Sequence, residues 1–326
     1  MQPIRGASPD SRGFKIAFCL AYLKHRDPTK AARAAGSDEA EARGIGARLI
    51  RQESTHQILA TITLTDRYKN DPRYRNPPNS LFDNVYYCCS QKTGSQWLKS
   101  MFIDPIFYQA AGLKVFPYIA LGNKYAKFSK PMPINTIVTH LYVGYDAYNS
   151  IPKPSSYRTF YVLRDPRDAV VSWYYSARNS HALIDPIPQL RSRLRNTSYE
   201  DGMIYIINVL KDWGFFKCQR SWIENATSDP AVRIFRYEQM AEDEKSFFGT
   251  ILDYLGVKLT DPRLSELCDS HAYSRFAQGR KKGEENELSH YRAGRAGAWR
   301  EKFTARIAGH FDGITGDLVQ TLGYSR

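Results

Sequence analysis

The chain has 326 residues, of which 42% are hydrophobic and 24% are charged, and its formal net charge is +13. This length allows one large α/β domain with a small additional module, and the basic charge favours anionic ligands without specifying them. The composition argues against a membrane-spanning protein, since no apolar run approaches the roughly 20 residues that a span needs. It also argues against a disulfide-built scaffold, since the five cysteines show no CxxC or framework spacing. A cytoplasmic location is therefore predicted.

Residues 14–64 have the apolar spacing of short helices and follow a predicted tail over residues 1–13. Three or four helices are expected in this segment, with breaks near Asp27-Pro28, Gly36-Ser37 and Gln52-Glu53. The AARAAG string before a tight turn fits a helix-turn-helix. We therefore predict a small all-α module at the amino end.

This module resembles the amino-terminal module of phage terminase small subunits, which typically reads NATxAAxxAGYS and then a helix with GSRLL. The matching residues are Thr29, Ala31, Ala32, Ala35, Gly36, Gly46, Arg48, Leu49 and Ile50. Ser37 stands where that family has Tyr. The resemblance and the basic charge imply DNA as a candidate partner. The alternative is a small helical cap whose basic face is merely solvated.

A linker is predicted over residues 65–80, TDRYKNDPRYRNPPNS, because the string is rich in Pro, Asn and charge. The apolar run Val85 to Cys89 then predicts a buried strand, and Trp97 lies near the start of a helix. The loop between them contains Lys92 and Gly94, and a strand–loop–helix of this kind can hold a phosphate or sulfate. It is not a GxxxxGK[ST] loop, so an ordinary strand–turn–helix remains an alternative.

Two further strands are predicted to end on polar residues. INTIVTH ends at His140, where a neutral imidazole could take a proton from an attacking hydroxyl. RTFYVLRDPRDAVVSWYY places Arg164 at a strand end and Ser172 in the following helix, which Pro166 and Asp168 suit as a start. Because ligands bind at the carboxyl ends of parallel strands, these side chains could face one crevice.

The carboxyl half is expected to alternate strands and helices. IFRYEQM predicts a strand and a turn, and EKSFFGTILDYLGV predicts an amphipathic helix. Asp261-Pro262 is expected to break the chain. The charged, glycine-rich stretch 278–297 is expected to be a mobile loop that orders over a ligand, or else a disordered surface loop.

Five strings in this order resemble the sulfotransferases that use 3′-phosphoadenosine 5′-phosphosulfate (PAPS), over roughly residues 80 to 326. They are QKTGSQW beside the family's PKSGTTW, VTH beside KTH, RDPRDAVVSWY beside RNPRDxxVSxY, IFRYEQM beside a strand ending FYEDM, and YRAGRAGAWREKFT beside RKGxxGDWKxxFT. The resemblance implies an α/β fold with a central parallel β-sheet flanked by helices, of the P-loop-like type, over residues 81–326.

The resemblance implies roles for the residues that match. Lys92 would contact the bridging oxygen as the sulfuryl group leaves, and the 5′-phosphosulfate would accept hydrogen bonds from Thr93, Gly94, Ser95 and Gln96. Arg164 and Ser172 would hold the 3′-phosphate, and Arg292 and Gly294 would close over it. The adenine pocket would be lined by Trp97, Tyr237 and Phe276. His140 would be the general base.

Two departures from the family pattern concern phosphate binding and assembly. Ala293 stands where the family usually has Lys, so one phosphate contact is missing, and the nearby Arg280, Lys281, Lys282 or Arg295 could supply it. The family's short dimer motif is poorly kept, because Ala305 and Gly309 stand where Val and Glu are typical. The oligomeric state is therefore left open.

The resulting prediction is a PAPS-dependent sulfotransferase that acts on a hydroxyl or amine, without a metal, since no carboxylate cluster or His/Cys spacing demands one. The density of aromatic residues favours a small-molecule acceptor. Two alternatives stay open. One is a nucleotide-dependent phosphotransferase. The other is a DNA-binding protein that acts through residues 14–64 and carries a degenerate catalytic domain.

Overall fold

The computed structural model describes residues 8–117, 128–226 and 228–325, so the first seven residues of the predicted tail lie outside the described residues. The chain divides into two compact units. The smaller unit runs from the amino end to Pro72 and includes Ala182–Leu190. The larger unit covers Arg73–His181 and Arg191 to the carboxyl end.

Four helices form the module at the amino end, and their bounds are α1 (Arg12–His25), α2 (Pro28–Ala35), α3 (Ala42–Leu49) and α4 (Glu53–Asn70). The predicted helices and their three breaks are confirmed. Asp27 begins α2 as a cap, since its carboxylate accepts from Lys30 N at 2.9 Å and Pro28 takes the first helical position. Buried Phe14, Phe18 and Leu49 pack with small alanines into the module's own core.

The division into a module, a linker and a second domain stays a prediction, and the structure differs from it in two particulars. Helix α4 continues through residues 65–70, and a 3₁₀ turn follows at Pro72–Tyr74. The first residue that stops a helix in this string is Pro72, so the polar residues before it remain helical. The segment Ala182–Leu190 clusters with the module, although it lies far away in sequence.

The larger unit is built on a sheet of five parallel strands in the order β2-β3-β1-β4-β5. The strands are β1 (Asn84–Cys89), β2 (Lys114–Pro117), β3 (Thr136–Leu141), β4 (Tyr157–Leu163) and β5 (Val232–Arg236). Every residue of β1 and β3 is buried, as expected of a parallel sheet covered on both faces. The predicted α/β fold with a parallel sheet is confirmed. The sequence did not predict β2, which is a four-residue edge strand.

The remaining helices, in chain order, are α5 (Ser95–Ile103), α6 (Pro105–Ala111), α7 (Tyr145–Asn149), α8 (Pro166–Tyr175), α9 (Ile187–Arg195), α10 (Tyr199–Asp212), α11 (Phe215–Ala226), α12 (Tyr237–Glu242), α13 (Glu244–Tyr254), α14 (Asp261–Ser270), α15 (Tyr273–Phe276), α16 (Trp299–Lys302), α17 (Ala305–Thr315) and α18 (Leu318–Thr321). A π-turn at Ser176–Ser180 continues α8. Asp261-Pro262 begins α14 rather than breaking the chain, because Pro is favourable in a first helical turn.

None of the helices in the described ranges is long and apolar enough to cross a membrane. Helix α13 buries the face that the sequence predicted, with Phe247, Phe248, Ile251, Leu252 and Leu255 turned inward. Phe248 meets Phe102 of α5 at 5.6 Å between ring centroids, and Phe102 also contacts Phe160 of β4 at 6.0 Å. This aromatic cluster fixes α5, and therefore the loop before it, against the sheet.

Phe102→Ala should lower the free energy of unfolding by about 3–5 kcal/mol, because a fully buried ring is removed and the packed neighbours cannot fill the space. Urea unfolding followed by fluorescence measures the loss. Leu288→Ala is the control, since Leu288 is 75% exposed and its loss should change stability by less than about 0.5 kcal/mol. Equal effects of the two substitutions would contradict the assignment of the core.

Candidate functional site

The carboxyl ends of three neighbouring strands bring the candidate residues to one edge of the sheet. Strands β1, β3 and β4 are parallel neighbours, so the segments that leave them start side by side. Lys92 lies in the loop after β1, Arg164 directly follows β4, and His140 lies near the end of β3 itself. The crevice at this edge is where open α/β sheets bind ligands.

The loop after β1 is held in a shape that presents backbone to the crevice. Lys92 and Gly94 both adopt left-handed conformations, with φ of 68° and 73°. The Thr93 hydroxyl donates to Ser90 O at 2.7 Å and fixes the turn. Gly94 precedes α5, and a Cβ there would lie 2.4 Å from the Met240 Cε. The first N–H groups of a helix have no acceptor within it, so the start of α5 can receive an anion.

Arg164 joins this loop to the end of β4. Its Nη1 donates to Lys92 O at 2.7 Å, and its guanidinium lies 4.0 Å from the centroid of the Tyr237 ring. The side chain is buried, yet its Nε has no hydrogen-bond acceptor among the described residues. A buried N–H without an acceptor costs free energy, so an anionic ligand at this point would be stabilising.

The Lys92 ammonium points towards α8 and its continuation. Nζ donates to the Ser176 hydroxyl at 3.0 Å and lies 5.7 Å from the centroid of the Trp173 ring. Burial, together with the positive charges of Arg164 and Arg292, lowers the pKa of Lys92 to about 7. Burial and two guanidinium groups therefore disfavour the charged form of Lys92, and an anion beside them would favour it.

His140 lies near the end of β3 and is fully buried. Its ring packs against Tyr142 at 4.7 Å between centroids, and the Tyr142 hydroxyl is 2.7 Å from the Ser95 hydroxyl at the start of α5. Neither ring nitrogen of His140 has a hydrogen-bond partner among the described residues. Burial and the charge of Lys99 lower its pKa to about 3, so the imidazole is neutral at physiological pH.

The segment after α15 is fastened to α8. The Asp168 carboxylate accepts from Gly297 N at 2.6 Å and from Trp299 N at 2.9 Å. Arg292 is buried and pairs with Glu285 of the same segment. Gly294 has a φ of 61°, and a Cβ there would lie 2.7 Å from the Tyr273 ring. The described loop over 278–297 is therefore ordered by hydrogen bonds and close packing.

The remaining predicted residues occupy different surroundings. Ser172 is half-buried on α8, and Gln96 is exposed on α5. Trp97 is buried, donates from Nε1 to His271 O at 2.7 Å and meets Phe248 edge-on. Phe276 stacks on Tyr291 at 5.1 Å and lines an open groove of about 490 Å³ whose other described residues are Ser180, Gln278, Asn286, Leu288, Ser289 and His290.

Four neighbours of the candidate residues were not predicted as part of the site. Trp173 and Ser176 contact the Lys92 ammonium, Tyr142 packs on His140, and Asp168 fastens the carboxyl-terminal segment. Trp173 follows Ser172 directly in the string RDPRDAVVSWY, so the sequence could have indicated it as a site residue. Ser176 lies 84 residues from Lys92, and only the fold brings them together. Within the described part of the chain, no group of three or more His, Cys, Asp or Glu side chains could hold a metal ion.

Lys92→Met should raise the unfolding temperature of the protein without added ligand, and by more at pH 6 than at pH 9. The folded-state pKa of Lys92 is about 7, against 10.5 for an ordinary lysine, so between these values the unfolded chain binds more protons. The wild type therefore gains stability as the pH rises through this window. The difference in unfolding temperature between the wild type and the variant, here called the gap, becomes smaller. Methionine has an unbranched side chain like that of lysine, so the substitution removes the charge while the steric cost of the left-handed conformation stays similar.

Thermal unfolding scans across that pH range measure the gap. Lys281→Met serves as the control, because Lys281 is exposed and its replacement should leave the midpoint nearly unchanged at every pH. A temperature difference that is constant, or that widens as the pH rises, would contradict a partly buried Lys92 whose charged form is disfavoured.

Comparison with known proteins identifies the family to which the sequence of this chain is similar. The sulfotransferase domain family matches residues 83–323. The 3-beta-hydroxysteroid sulfotransferase of Cavia porcellus is 25% identical over 247 residues, which cover 68% of this chain and 79% of that protein. Cytosolic sulfotransferase 13 of Arabidopsis thaliana is 23% identical over 251 residues, covering 69% and 73%.

Among solved structures, mouse sulfotransferase SULT7A1 complexed with PAP matches with a TM-score of 0.48 and 17% identity, over 74% of this chain and 85% of that one. The family match alone spans well over half of the residues and takes in β1, β3, β4 and the segment around Arg292. The chain belongs to the sulfotransferase domain family.

Proposed function

We propose that the protein transfers a sulfuryl group from PAPS to a hydroxyl group of a small acceptor. The observation that carries the proposal is a cluster of three cationic side chains. Arg164 donates to Lys92 O just before α5, and Arg292 lies 5.0 Å from the Tyr175 ring, next to the Ser176 that binds Lys92 Nζ. Such a site attracts a ligand with several negative charges. PAPS carries a phosphosulfate at one end and a 3′-phosphate at the other.

The two ends of PAPS would engage different parts of the crevice. The loop Lys92 to Gln96 and the first N–H groups of α5 would hold the 5′-phosphosulfate. Arg164, Ser172, Arg292 and Gly294 would hold the 3′-phosphate, since a guanidinium fork matches phosphate oxygens. Trp97, Tyr237 and Phe276 would bound the adenine. Tyr237 is already stacked under Arg164, and Trp97 would act from its buried position rather than from an exposed face.

The chemistry needs three events in one place. The acceptor oxygen attacks the sulfur and loses its proton, the sulfur–oxygen bond to the 5′-phosphate breaks, and adenosine 3′,5′-bisphosphate (PAP) leaves. Lys92 would neutralise the charge that develops on the bridging oxygen, and the fixed N–H groups of the loop would stabilise the transferring group without reorganising.

His140 would accept the proton of the attacking hydroxyl. Its low pKa keeps the base form present over the whole physiological range. Neither ring nitrogen is already engaged in a hydrogen bond with a described residue. A base with so low a pKa is weak, and catalysis favours a pKa near the working pH. The negative charge of a bound phosphosulfate would raise the pKa of His140 towards that range.

The acceptor is proposed to be a small hydroxylated molecule. The described neighbours of His140 are aromatic, with Tyr142 at 4.7 Å and Tyr87 at 6.4 Å between ring centroids. Aromatic walls with a few polar groups suit small apolar ligands. A relative that matches 68% of this chain is named for action on a hydroxysteroid, which is a molecule of this class.

His140→Ala should lower turnover by about 10²- to 10⁴-fold, the usual contribution of a general base. Lys92→Ala should lower it by about 10²- to 10³-fold, as for the loss of one preorganised donor. Labelled PAPS with a pooled set of phenols, alcohols, amines and glycans identifies an acceptor, after which the variants are compared at saturating donor. Near-normal rates in both variants would contradict this mechanism.

A thermal-shift comparison separates the alternative of a phosphotransferase. A rise in the unfolding temperature with ATP and Mg²⁺ but not with PAP would favour that alternative.

A second candidate function, DNA binding, belongs to the amino-terminal module. Helix α3 exposes Arg43 and Arg48, with Gly44 and Ala47 exposed between them. Small residues beside cationic ones let a helix approach a phosphate backbone closely. Arg48 is held by Asp10 at 3.0 Å, so one of the two cations is partly neutralised.

The full chain should therefore bind random duplex DNA with an affinity that falls steeply as salt rises, and the double variant Arg43→Glu, Arg48→Glu should lose most of that affinity. Fluorescence anisotropy over a salt series measures both effects. Lys281→Glu is a matched control on the larger unit. Weak binding that salt does not change would exclude the second candidate.

A further inference from the structure

The cation that the family's lysine supplies at position 293 is missing from this site. Ala293 is buried and carries no charge. Three of the four replacements suggested by the sequence are engaged elsewhere, and the fourth, Lys281, is exposed. Arg280 donates to the backbone oxygens of Glu284, Tyr291 and Arg292. Lys282 pairs with Glu244 at 3.3 Å, and Arg295 pairs with Glu301 at 2.6 Å.

A different lysine lies beside Arg292. Lys302 ends α16, and its Nζ is 3.5 Å from the Oε1 of Glu285. Arg292 Nη1 bonds to that same oxygen atom. The two cations also flank one ring, since the Arg292 guanidinium lies 5.0 Å and the Lys302 ammonium 5.3 Å from the centroid of Tyr175. Two positive groups on separate segments therefore converge on a single carboxylate oxygen.

The backbone explains why the carboxylate sits there. Gly283 N donates to Ala293 O at 2.7 Å, and Asn286 N donates to Arg292 O at 2.9 Å. These two bonds fold the chain back on itself on either side of Glu285. Glu285 is thereby held opposite Arg292, with its side chain 24% exposed and that of Arg292 only 9% exposed. The carboxylate is a partly accessible anion on a mostly buried cation.

We propose that Lys302 is the second phosphate-binding cation of this chain and that Glu285 is a resident counter-anion which the 3′-phosphate of the nucleotide displaces. This proposal rests on the proposed function, because it assumes that Arg292 binds the 3′-phosphate. A phosphate offers more oxygen atoms and more charge than one carboxylate, so it can satisfy both cations at once. Lys302 then takes the place of the lysine that Ala293 lacks.

The displacement also sets a requirement on binding. When the 3′-phosphate binds, Glu285 must give up its ion pairs with Arg292 and Lys302. The free energy gained from the phosphate contacts is therefore reduced by the free energy of those two ion pairs. Removing the charge of Glu285 should strengthen the binding of a nucleotide that has a 3′-phosphate. Removing the charge of Lys302 should weaken it. Neither change should alter the binding of a nucleotide that lacks this group.

The test compares PAP with adenosine 5′-monophosphate by isothermal titration calorimetry on the full chain. Lys302→Gln should weaken PAP binding by about 5- to 20-fold, and Glu285→Gln should tighten it by about 3- to 10-fold, as expected for charge-assisted pairs that are partly exposed. Adenosine 5′-monophosphate should bind both variants as it binds the wild type. Lys258→Gln and Glu284→Gln are the matched controls, one an exposed cation outside the candidate site and the other an exposed anion of the loop that carries Glu285.

Two results would overturn the proposal. If Glu285→Gln weakens PAP binding, the carboxylate supports the site instead of competing for it. If either variant changes the affinities for both nucleotides equally, the network is structural. Circular dichroism and unfolding temperatures verify that the variants fold. A wild-type chain that binds no PAP at all would instead contradict the proposed function, so the two failures are distinguishable.

Discussion

Two guanidinium groups beside a partly buried lysine are the physical constraint on which the candidate site depends. Lys92, Arg164 and Arg292 lie close enough for the two guanidinium groups to lower the pKa of the lysine, with burial as the largest cause. Folding brings the three side chains together although the charged form of Lys92 is disfavoured, because contacts with neighbouring residues hold each arginine in place. Arg164 follows β4 and stacks on Tyr237, and Arg292 pairs with Glu285. A multiply charged anion bound at this point would offset these positive charges.

The scaffold explains how such a crevice can be rigid. Strands β1, β3 and β4 are buried between helices, and the aromatic rings around Phe102 lock α5 to the sheet. The left-handed conformation of Lys92 is itself unfavourable for a residue with a side chain. It persists because Arg164 binds its carbonyl oxygen and Thr93 closes the turn. Backbone strain and charge repulsion are therefore concentrated where a ligand would compensate for them.

The sequence was most informative where local chemistry and position coincide. Gly94 before a helix, Arg164 at a strand end and the apolar face of α13 each follow from a pattern a few residues long. The fold class was implied by the family resemblance. The order of the five motifs predicted the family that the comparison found. Helix α4 extends into the predicted linker because its first strong helix-stopping residue is Pro72, although Asn and charged residues occur earlier in the string.

Contacts between distant segments could not be predicted in this way. Ser176 meets Lys92 across 84 residues, and Lys302 meets the carboxylate of Glu285 although neither residue belongs to a motif with that role. Strand β2 has only four residues, too few for a period to be visible. The clustering of Ala182–Leu190 with the amino-terminal module depends on the tertiary fold alone. These features come from packing and charge pairing, which no single stretch of sequence records.

A crystal structure of the full chain with PAP would test the proposed site most directly. We expect the 5′-phosphate within hydrogen-bond distance of the backbone N–H groups at the start of α5, and the 3′-phosphate bonded to both Arg164 and Arg292. A nucleotide bound elsewhere on the protein, with this crevice still free of phosphate, would contradict it.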